Sequence, residues 1–229
     1  MPDIRAQLTF LSNSPLYEIE KPYSILLPEQ EQGDSIRHDL PRCNNLEWSH
    51  HWVDIREARR RHDLTLEACG FQLLRHTSQS IPIREPRDVT SYRLETEELL
   101  QTTFAAERAI CYDVVLRQNV RDTSSSTDLR DPMSPHPPAF RVHNDATPKS
   151  GVDMIERHLP HEIREMYPVT RYRYRIVKYK TTYGLGVDSP LAVCDYRSIA
   201  DGDLVAVDKV TPSRVGEVYY LKHNDHQAW

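Results

Sequence analysis

The 229-residue sequence has few features of a secreted, disulfide-bonded or membrane protein. Its four cysteines lie far apart and no two have the close spacing of zinc ligands, so we expect free thiols in a reducing compartment: Cys43, Cys69, Cys111 and Cys194. No apolar run has the length of a transmembrane helix, and the N-terminus lacks the apolar centre of a signal peptide. The sequence therefore predicts a soluble, cytoplasmic protein without a membrane partner.

Strong charge of one sign is also missing. The formal net charge is −5 and the pI is near 6.1, which does not favour binding to nucleic acid or to an anionic membrane. The sequence contains no P-loop, no dinucleotide-binding glycine motif and no serine nucleophile elbow. Nucleotide-dependent and serine-nucleophile enzymes are therefore excluded as starting hypotheses.

Most of the segments with a recognisable hydrophobic pattern are short and have the periodicity of strands. The hydrophobic fraction is 38% and the mean hydropathy is −0.65, yet the apolar residues recur in clusters. Strands are predicted at 6–11, 52–55, 64–67 with 70–74, 109–117, 171–180, 191–194, 204–210 and 214–221, and helices at 95–108 and 152–166, the second broken by Pro160. The fold class predicted is α+β and β-rich, with an incomplete or distorted double-stranded β-helix (jelly-roll) core and a few flanking helices.

We expect one domain over 1–229, because no linker or internal repeat divides the chain. The polar, proline-rich segment 119–140 is interpreted as a loop within that domain and not as a boundary.

His143 and Asp145 are the residues with the clearest chemical potential. Side chains two apart on an extended segment project to the same side, so an imidazole nitrogen and a carboxylate oxygen would share one small patch. They match two ligands of the 2-His-1-carboxylate triad that holds ferrous iron. The spacing alone also fits a solvated turn, and a second copy occurs at His223 and Asp225.

Several segments in this order resemble the fungal asaB-type hydroxylase/desaturase family, which includes gibberellin desaturase-like proteins. The carrying segments are Glu-Lys-Pro-Tyr at 20–23, Val-Asp-Ile-Arg at 53–56, the stretch 66–71 ending in Gly-Phe, Val-His-Asn-Asp at 142–145, Asp-Ser-Pro-Leu-Ala-Val-Cys-Asp-Tyr-Arg-Ser at 188–198, Asp-Leu-Val at 203–205 and Arg-Val-Gly-Glu-Val-Tyr at 214–219.

The resemblance implies an oxidoreductase of fungal secondary-metabolite biosynthesis that hydroxylates or desaturates a small-molecule intermediate. It implies Fe(II) and 2-oxoglutarate as cofactors, with His143 and Asp145 as the first two metal ligands. Longer family members continue with a further histidine and an arginine-bearing segment, so the resemblance describes a C-terminally truncated member. The other interpretation is that His226, or alternatively His223, has been recruited as the third ligand.

The alternating basic and aromatic run at 171–180 offers candidates for the co-substrate anchor. A planar guanidinium grips a carboxylate well, so one of Arg171, Arg173 or Arg175 is predicted to hold 2-oxoglutarate. The competing hypothesis is a non-catalytic remnant of such an oxygenase. Its unpaired last strand would be an exposed sheet edge that a protein partner completes.

Overall fold

The computed structural model describes residues 4–25, 43–118, 131–181 and 190–229. These residues form strands β1 Ile4–Leu11, β2 Tyr23–Ile25, β3 Trp48–Ile55, β4 His143–Asn144, β5 Leu204–Thr211 and β6 Arg214–Leu221, and helices α1 Leu66–Cys69, α2 Pro86–Thr103, α3 Pro148–His158 and α4 His161–Met166. None of the helices in these ranges is long and apolar enough to cross a membrane.

The strands form two sheets that are joined by two isolated bridges. β1 pairs antiparallel with β3, and a second sheet has the order β2-β5-β6-β4, in which only the β2–β5 pair is parallel. Isolated bridges join Thr9 to Arg141 and Leu11 to Lys222. The first sheet is therefore connected by backbone hydrogen bonds to the strand pair that contains β4.

Alternation along the strands produces a core on each face of this layer. The Leu11 core consists of Leu11, Val207, Val218 and Tyr220. The Phe10 core consists of Phe10, Val53 and Leu221. Phe10 and Leu11 are successive residues and both are almost completely buried, because neighbouring side chains of a strand point to opposite faces.

Two compact units make up the chain, and all six strands belong to the first. That unit comprises Met1–Leu73, Phe140–Met154 and Ala192–Trp229. The second unit comprises Leu74–Ala139 and Ile155–Leu191 and contains α2 and α4. The assignment of 1–229 to one domain stays a prediction. Of the predicted loop at 119–140, residues 119–130 lie outside the described residues, and the remainder contains no helix or strand.

In the second unit, helix α2 begins nine residues earlier than the sequence pattern predicted. Pro86 occupies the first turn, where its missing N–H costs nothing, and the Asp88 carboxylate accepts hydrogen bonds from the backbone N–H of Glu85 at 3.1 Å and of Arg84 at 2.8 Å. Within the helix, burial raises the pKa of Glu95, but hydrogen bonds from Ser80 and other neighbours lower it to about 2.

Most predictions for the first unit are confirmed. Strands appear at the expected places in β1, β3, β5 and β6, although β1 and β3 begin earlier than predicted. The second predicted helix, which spans parts of both units, is interrupted at Pro160, so that α3 and α4 are separate. The β-rich α+β class with an incomplete jelly roll is also confirmed, and the described strands do not close into a barrel.

Other strand predictions are wrong. The segments 109–117, 171–180 and 191–194 form no strand, because β-branched and aromatic residues alone do not supply a hydrogen-bonding partner. The segment around Gly70 contains helix α1 instead of a strand pair. Thr65 caps its start through a 3.2 Å hydrogen bond from the N–H of Ala68, and Gly70 ends it at a φ of 84°.

The expectation that the last strand is an exposed edge is also wrong. β6 lies between β5 and β4: β5 pairs with it over its whole length, and β4 pairs with Tyr219 and Tyr220. The edges of the four-stranded sheet are β2 and β4. A protein partner that completes the sheet stays a prediction.

We predict that Leu11→Ala lowers the free energy of unfolding by about 2–5 kcal/mol, because it opens a cavity in the Leu11 core. Ile4→Ala is the matched control on the same strand. The Ile4 side chain is exposed, so its removal should cost less than about 1 kcal/mol. Urea denaturation followed by circular dichroism measures both, and equal losses would contradict this account of the core.

Candidate functional site

The backbone before His143 is held on both sides. The N–H of Val142 donates to the carbonyl of Thr9 at 2.9 Å, and the carbonyl of Val142 accepts from the N–H of Leu221 at 3.3 Å. His143 then pairs with Tyr220 across β4 and β6. Directly paired residues of a ladder share a face, so the imidazole lies on the side of the Leu11 core, with its ring centroid 6.3 Å from that of Tyr220.

A short hydrogen bond fixes the tautomer of His143. Its Nδ1 lies 2.6 Å from the carbonyl oxygen of Arg141. A carbonyl only accepts, so Nδ1 carries the hydrogen and the neutral ring has its lone pair on Nε2. Metal-binding histidines are oriented in this way, with one ring nitrogen donating to a backbone carbonyl and the other facing the metal.

Asp145 lies beside that nitrogen. Its Oδ1 is 3.4 Å from Nε2 of His143, and the His143 side chain is the less exposed of the two. Two ligand atoms each about 2.1 Å from one metal ion and at right angles to one another are roughly 3.0 Å apart. The observed separation is close to this value, so the two atoms fit as neighbouring ligands of a single cation.

The turn after Asp145 is anchored to strand β6. Thr147 and Ser150 are both buried and exchange hydrogen bonds at the start of α3, with Thr147 N to Ser150 Oγ at 2.8 Å and Ser150 N to Thr147 Oγ1 at 3.1 Å. The Thr147 hydroxyl also donates to Glu217 Oε2 at 2.6 Å. Asp145 is thus placed between a paired strand and a capped helix.

Glu217 is part of an ion cluster on the face opposite the Leu11 core. Lys21 Nζ lies 2.5 Å from both Glu217 Oε1 and Asp208 Oδ1. Hydrogen bonds from Lys21 and Thr147 lower the pKa of Glu217. Burial lowers the pKa of Lys21, but its two carboxylate partners raise it more, so the net shift is upward.

The second His-Asn-Asp copy is built differently. The His223 ring stacks on His51 with centroids 3.9 Å apart and contacts Phe10 edge-on at 5.1 Å. Burial lowers the pKa of His223, and the neighbouring His51 lowers it further. Asp225 is almost fully exposed, and its Oδ1 is 3.9 Å from His223 Nδ1. In this copy the histidine packs against the Phe10 core.

His226 is exposed, and its backbone N–H donates to Asn224 Oδ1 at 3.0 Å. Across ranges 4–25, 43–118, 131–181 and 190–229, no three His, Cys, Asp or Glu side chains form a group that could hold a metal ion. His143 and Asp145 are therefore brought together, whereas neither His226 nor His223 joins them. The assignment of either as third ligand stays a prediction.

The three arginines predicted as co-substrate anchors lie in the second unit, in a segment without regular secondary structure: Arg171, Arg173 and Arg175. All three are exposed, and the Arg175 guanidinium lies 5.4 Å from the centroid of the Phe104 ring. Their role as anchors also stays a prediction.

Arg141 is a residue of this site that the sequence patterns did not single out. Its carbonyl orients His143, and its guanidinium lies 4.4 Å from the centroid of the Trp48 ring. The sequence could have indicated Arg141 as a site residue, because it precedes His143 by two residues and so lies on the same face of an extended segment.

Comparison with known proteins agrees with the geometry. A family model described as "YDMC: Oxidoreductase/YMDC permease-like domain" matches residues 12–229. The chain belongs to this family. A curated relative, the "Hydroxylase/desaturase efuI" of Hormonema carpetanum, is 25% identical over 190 residues. The match covers 80% of this chain but only 63% of the relative. The resemblance to fungal hydroxylase/desaturases is confirmed.

Solved structures show the same fold. A single-substitution variant of the "iron and alpha-ketoglutarate-dependent endoperoxidase NvfI" superposes with a TM-score of 0.72 at 19% identity, over 100% of this chain and 78% of that one. The same enzyme in a different conformation gives a TM-score of 0.70 at 19% identity, over 100% and 79% of the two chains. The predicted jelly-roll type of fold is thereby confirmed.

We predict that Glu217→Gln lowers the free energy of unfolding at pH 7 by about 1 kcal/mol, since the half-exposed Lys21 is partly screened by solvent. The pKa of Glu217 is lower in the folded chain, so its contribution is complete above the ordinary value of 4.5 and is lost as the pH falls through the lowered value. The variant should therefore lose less stability than the wild type on acidification below pH 4.5.

Urea denaturation between pH 7 and pH 3 measures this difference. Asp54→Asn is the control, because the carboxylate of Asp54 is exposed and its partner Arg5 is 4.0 Å away. An identical acid profile for wild type and Glu217→Gln would show that the cluster does not hold the turn.

Proposed function

We propose that the chain is an oxidoreductase that uses Fe(II) and 2-oxoglutarate to hydroxylate or desaturate a small-molecule intermediate of fungal secondary metabolism. The observation that carries the proposal is the pair formed by His143 and Asp145, with Nε2 and Oδ1 3.4 Å apart. The hydrogen bond from Nδ1 to the Arg141 carbonyl gives His143 the tautomer of a metal ligand.

The two donor atoms that the structure brings together, His143 Nε2 and Asp145 Oδ1, fit ferrous iron. One imidazole nitrogen and one carboxylate oxygen are two members of the facial triad, which leaves positions open for a co-substrate and oxygen. Bound iron with a 2-oxo acid supplies the oxidising chemistry, and the protein contributes ligands, orientation and exclusion of water. His226, or alternatively His223, is proposed as the third ligand. The side chain of that histidine would then have to lie next to His143 and Asp145, because no three potential ligands are grouped among the described residues.

The comparisons support the same class of reaction. The curated relative is named a hydroxylase/desaturase, and the structural neighbours are named iron and alpha-ketoglutarate-dependent. Hydroxylation and desaturation both begin from oxygen activation at such a metal, so this chain is proposed to perform one of them. We place the reaction in the cytoplasm.

A second candidate is a non-catalytic oxygenase relative that binds a partner. It is favoured by the lack of a complete three-residue metal group in the described part of the chain. β2 and β4 are the edges of the four-stranded sheet, so a partner strand is proposed to add at one of them. Metal binding and turnover separate the two candidates.

We predict that Asp145→Ala weakens Co(II) binding at least about tenfold, because it removes one of two protein ligands. Asp225→Ala is the matched control, since it changes the same residue in the other His-Asn-Asp copy, where the carboxylate is solvent-exposed. Visible absorption of the Co(II)-loaded protein measures both. Equal binding by the two variants would remove the basis for a metal site at His143.

Turnover tests the activity itself. After anaerobic loading with Fe(II), wild type exposed to oxygen and 2-oxoglutarate should form succinate, and His143→Ala should form at least about tenfold less. The third-ligand proposal adds His226→Ala and His223→Ala to the same assay, of which one should match His143→Ala. If wild type forms no more succinate than His143→Ala, the non-catalytic candidate is the correct one.

A further inference from the structure

Trp48 contacts two residues that border His143. It is the first residue of β3, pairs with Leu11 of β1 and packs half-buried against the Leu11 core. Its ring meets the ring of the buried Tyr220 edge-on, with centroids 4.9 Å apart. The guanidinium of Arg141 lies over the Trp48 ring, 4.4 Å from its centroid. The core therefore fixes the Trp48 ring, and the ring in turn holds a cation.

Both neighbours of Trp48 also reach His143. The carbonyl oxygen of Arg141 lies 2.6 Å from Nδ1 of His143. Tyr220 pairs with His143 across β4 and β6, and the two ring centroids are 6.3 Å apart. Trp48 and His143 thus lie at opposite corners of a closed circuit of four residues. A change at Trp48 can reach the imidazole through this circuit.

Arg141 lies where regular structure ends, so its backbone depends on its side chain. One isolated bridge joins it to Thr9, and the pairing of β4 with β6 begins only at His143. The peptide between Arg141 and Val142 donates its N–H to the carbonyl of Thr9 at 2.9 Å, and its C=O faces His143. A cation–π contact that fixes the Arg141 side chain therefore also restricts rotation of this peptide.

The direction of that carbonyl decides how His143 presents its nitrogens. A neutral imidazole carries its hydrogen on Nδ1 or on Nε2, and the hydrogen bond to Arg141 selects Nδ1. Only this tautomer has a lone pair on Nε2, the atom that lies 3.4 Å from Asp145 Oδ1. Mutation of residues that orient a metal-binding histidine typically changes metal affinity about 10–100-fold.

We propose that Trp48 is a positioning residue for His143. It holds the guanidinium of Arg141, and with it the carbonyl that sets the tautomer and the direction of the imidazole. The role of His143 as a metal ligand rests on the proposed function, whereas the orientation of its ring is measurable without a metal.

Heteronuclear NMR of the metal-free full chain, with histidine labelled at its ring nitrogens, measures the tautomer at about pH 8.5, where imidazoles are neutral. His143→Ala identifies the signals of His143. The wild type should show the hydrogen on Nδ1, and Trp48→Leu should show a mixture of both tautomers. Trp48→Phe keeps an aromatic face for the guanidinium, so it should resemble the wild type.

Trp52→Leu is the matched control for these variants. Trp52 lies on the same strand and the same face as Trp48, but 59% of it is exposed. Its replacement should leave the His143 signals unchanged. If Trp48→Leu keeps the hydrogen on Nδ1 as the wild type does, the proposal is overturned.

Arg141→Met tests the route, because it removes the guanidinium and keeps the backbone carbonyl. Loss of a nearby positive charge would by itself strengthen binding of a divalent cation. Loss of the contact with Trp48 should instead weaken Co(II) binding at least about tenfold, as in Trp48→Leu. The double variant should bind no more weakly than Trp48→Leu, because effects along one route do not add. Equal or tighter binding by Arg141→Met, or losses that multiply, would overturn the proposal.

Thermal unfolding separates positioning from a merely structural role. Trp48→Leu removes packing beside the Leu11 core and should lower the Tm, whereas the exposed Arg141 should be replaceable by Met at an unchanged Tm. A tautomer mixture in Arg141→Met therefore cannot come from loss of the fold, and its absence there would contradict the proposal even if Trp48→Leu does not fold. If the wild type does not bind Co(II), the proposed function fails, but the tautomers of the metal-free chain still decide the role of Trp48.

Discussion

The backbone of Val142 is hydrogen-bonded to Thr9 on one side and to Leu221 on the other. These two bonds insert a short segment between β1 and β6 and thereby set which face each following side chain occupies. Arg141 and His143 project towards the Leu11 core, and Val142 packs into the Phe10 core. A slip of one residue would exchange the two sets and bring the imidazole to the wrong side.

With this register fixed, the chemistry of the Leu11 face follows. The Arg141 carbonyl selects the tautomer of His143, and the capped start of α3 keeps Asp145 beside the imidazole. The potential pair of metal ligands is thus supported by one apolar core.

Much of this could be predicted from local pattern. The spacing of His143 and Asp145 is enough to place them on one side of an extended segment, and Pro160 is enough to divide a helix. Local pattern fails where contacts with another segment of the chain determine the secondary structure. Residues 109–117 have strand composition, but within the described ranges they form only one isolated bridge, from Arg117 to His136. Around Gly70, Thr65 caps the start of a helix and Gly70 ends it in the left-handed conformation.

The central claim is that His143 and Asp145 bind one metal ion from the sheet face they share. Crystals grown with Mn(II) in place of Fe(II) test it directly through an anomalous difference map. The account predicts a peak about 2.0–2.3 Å from both His143 Nε2 and Asp145 Oδ1. A map without a peak between these two atoms, or with its strongest protein-bound peak at His223 and Asp225, would contradict it.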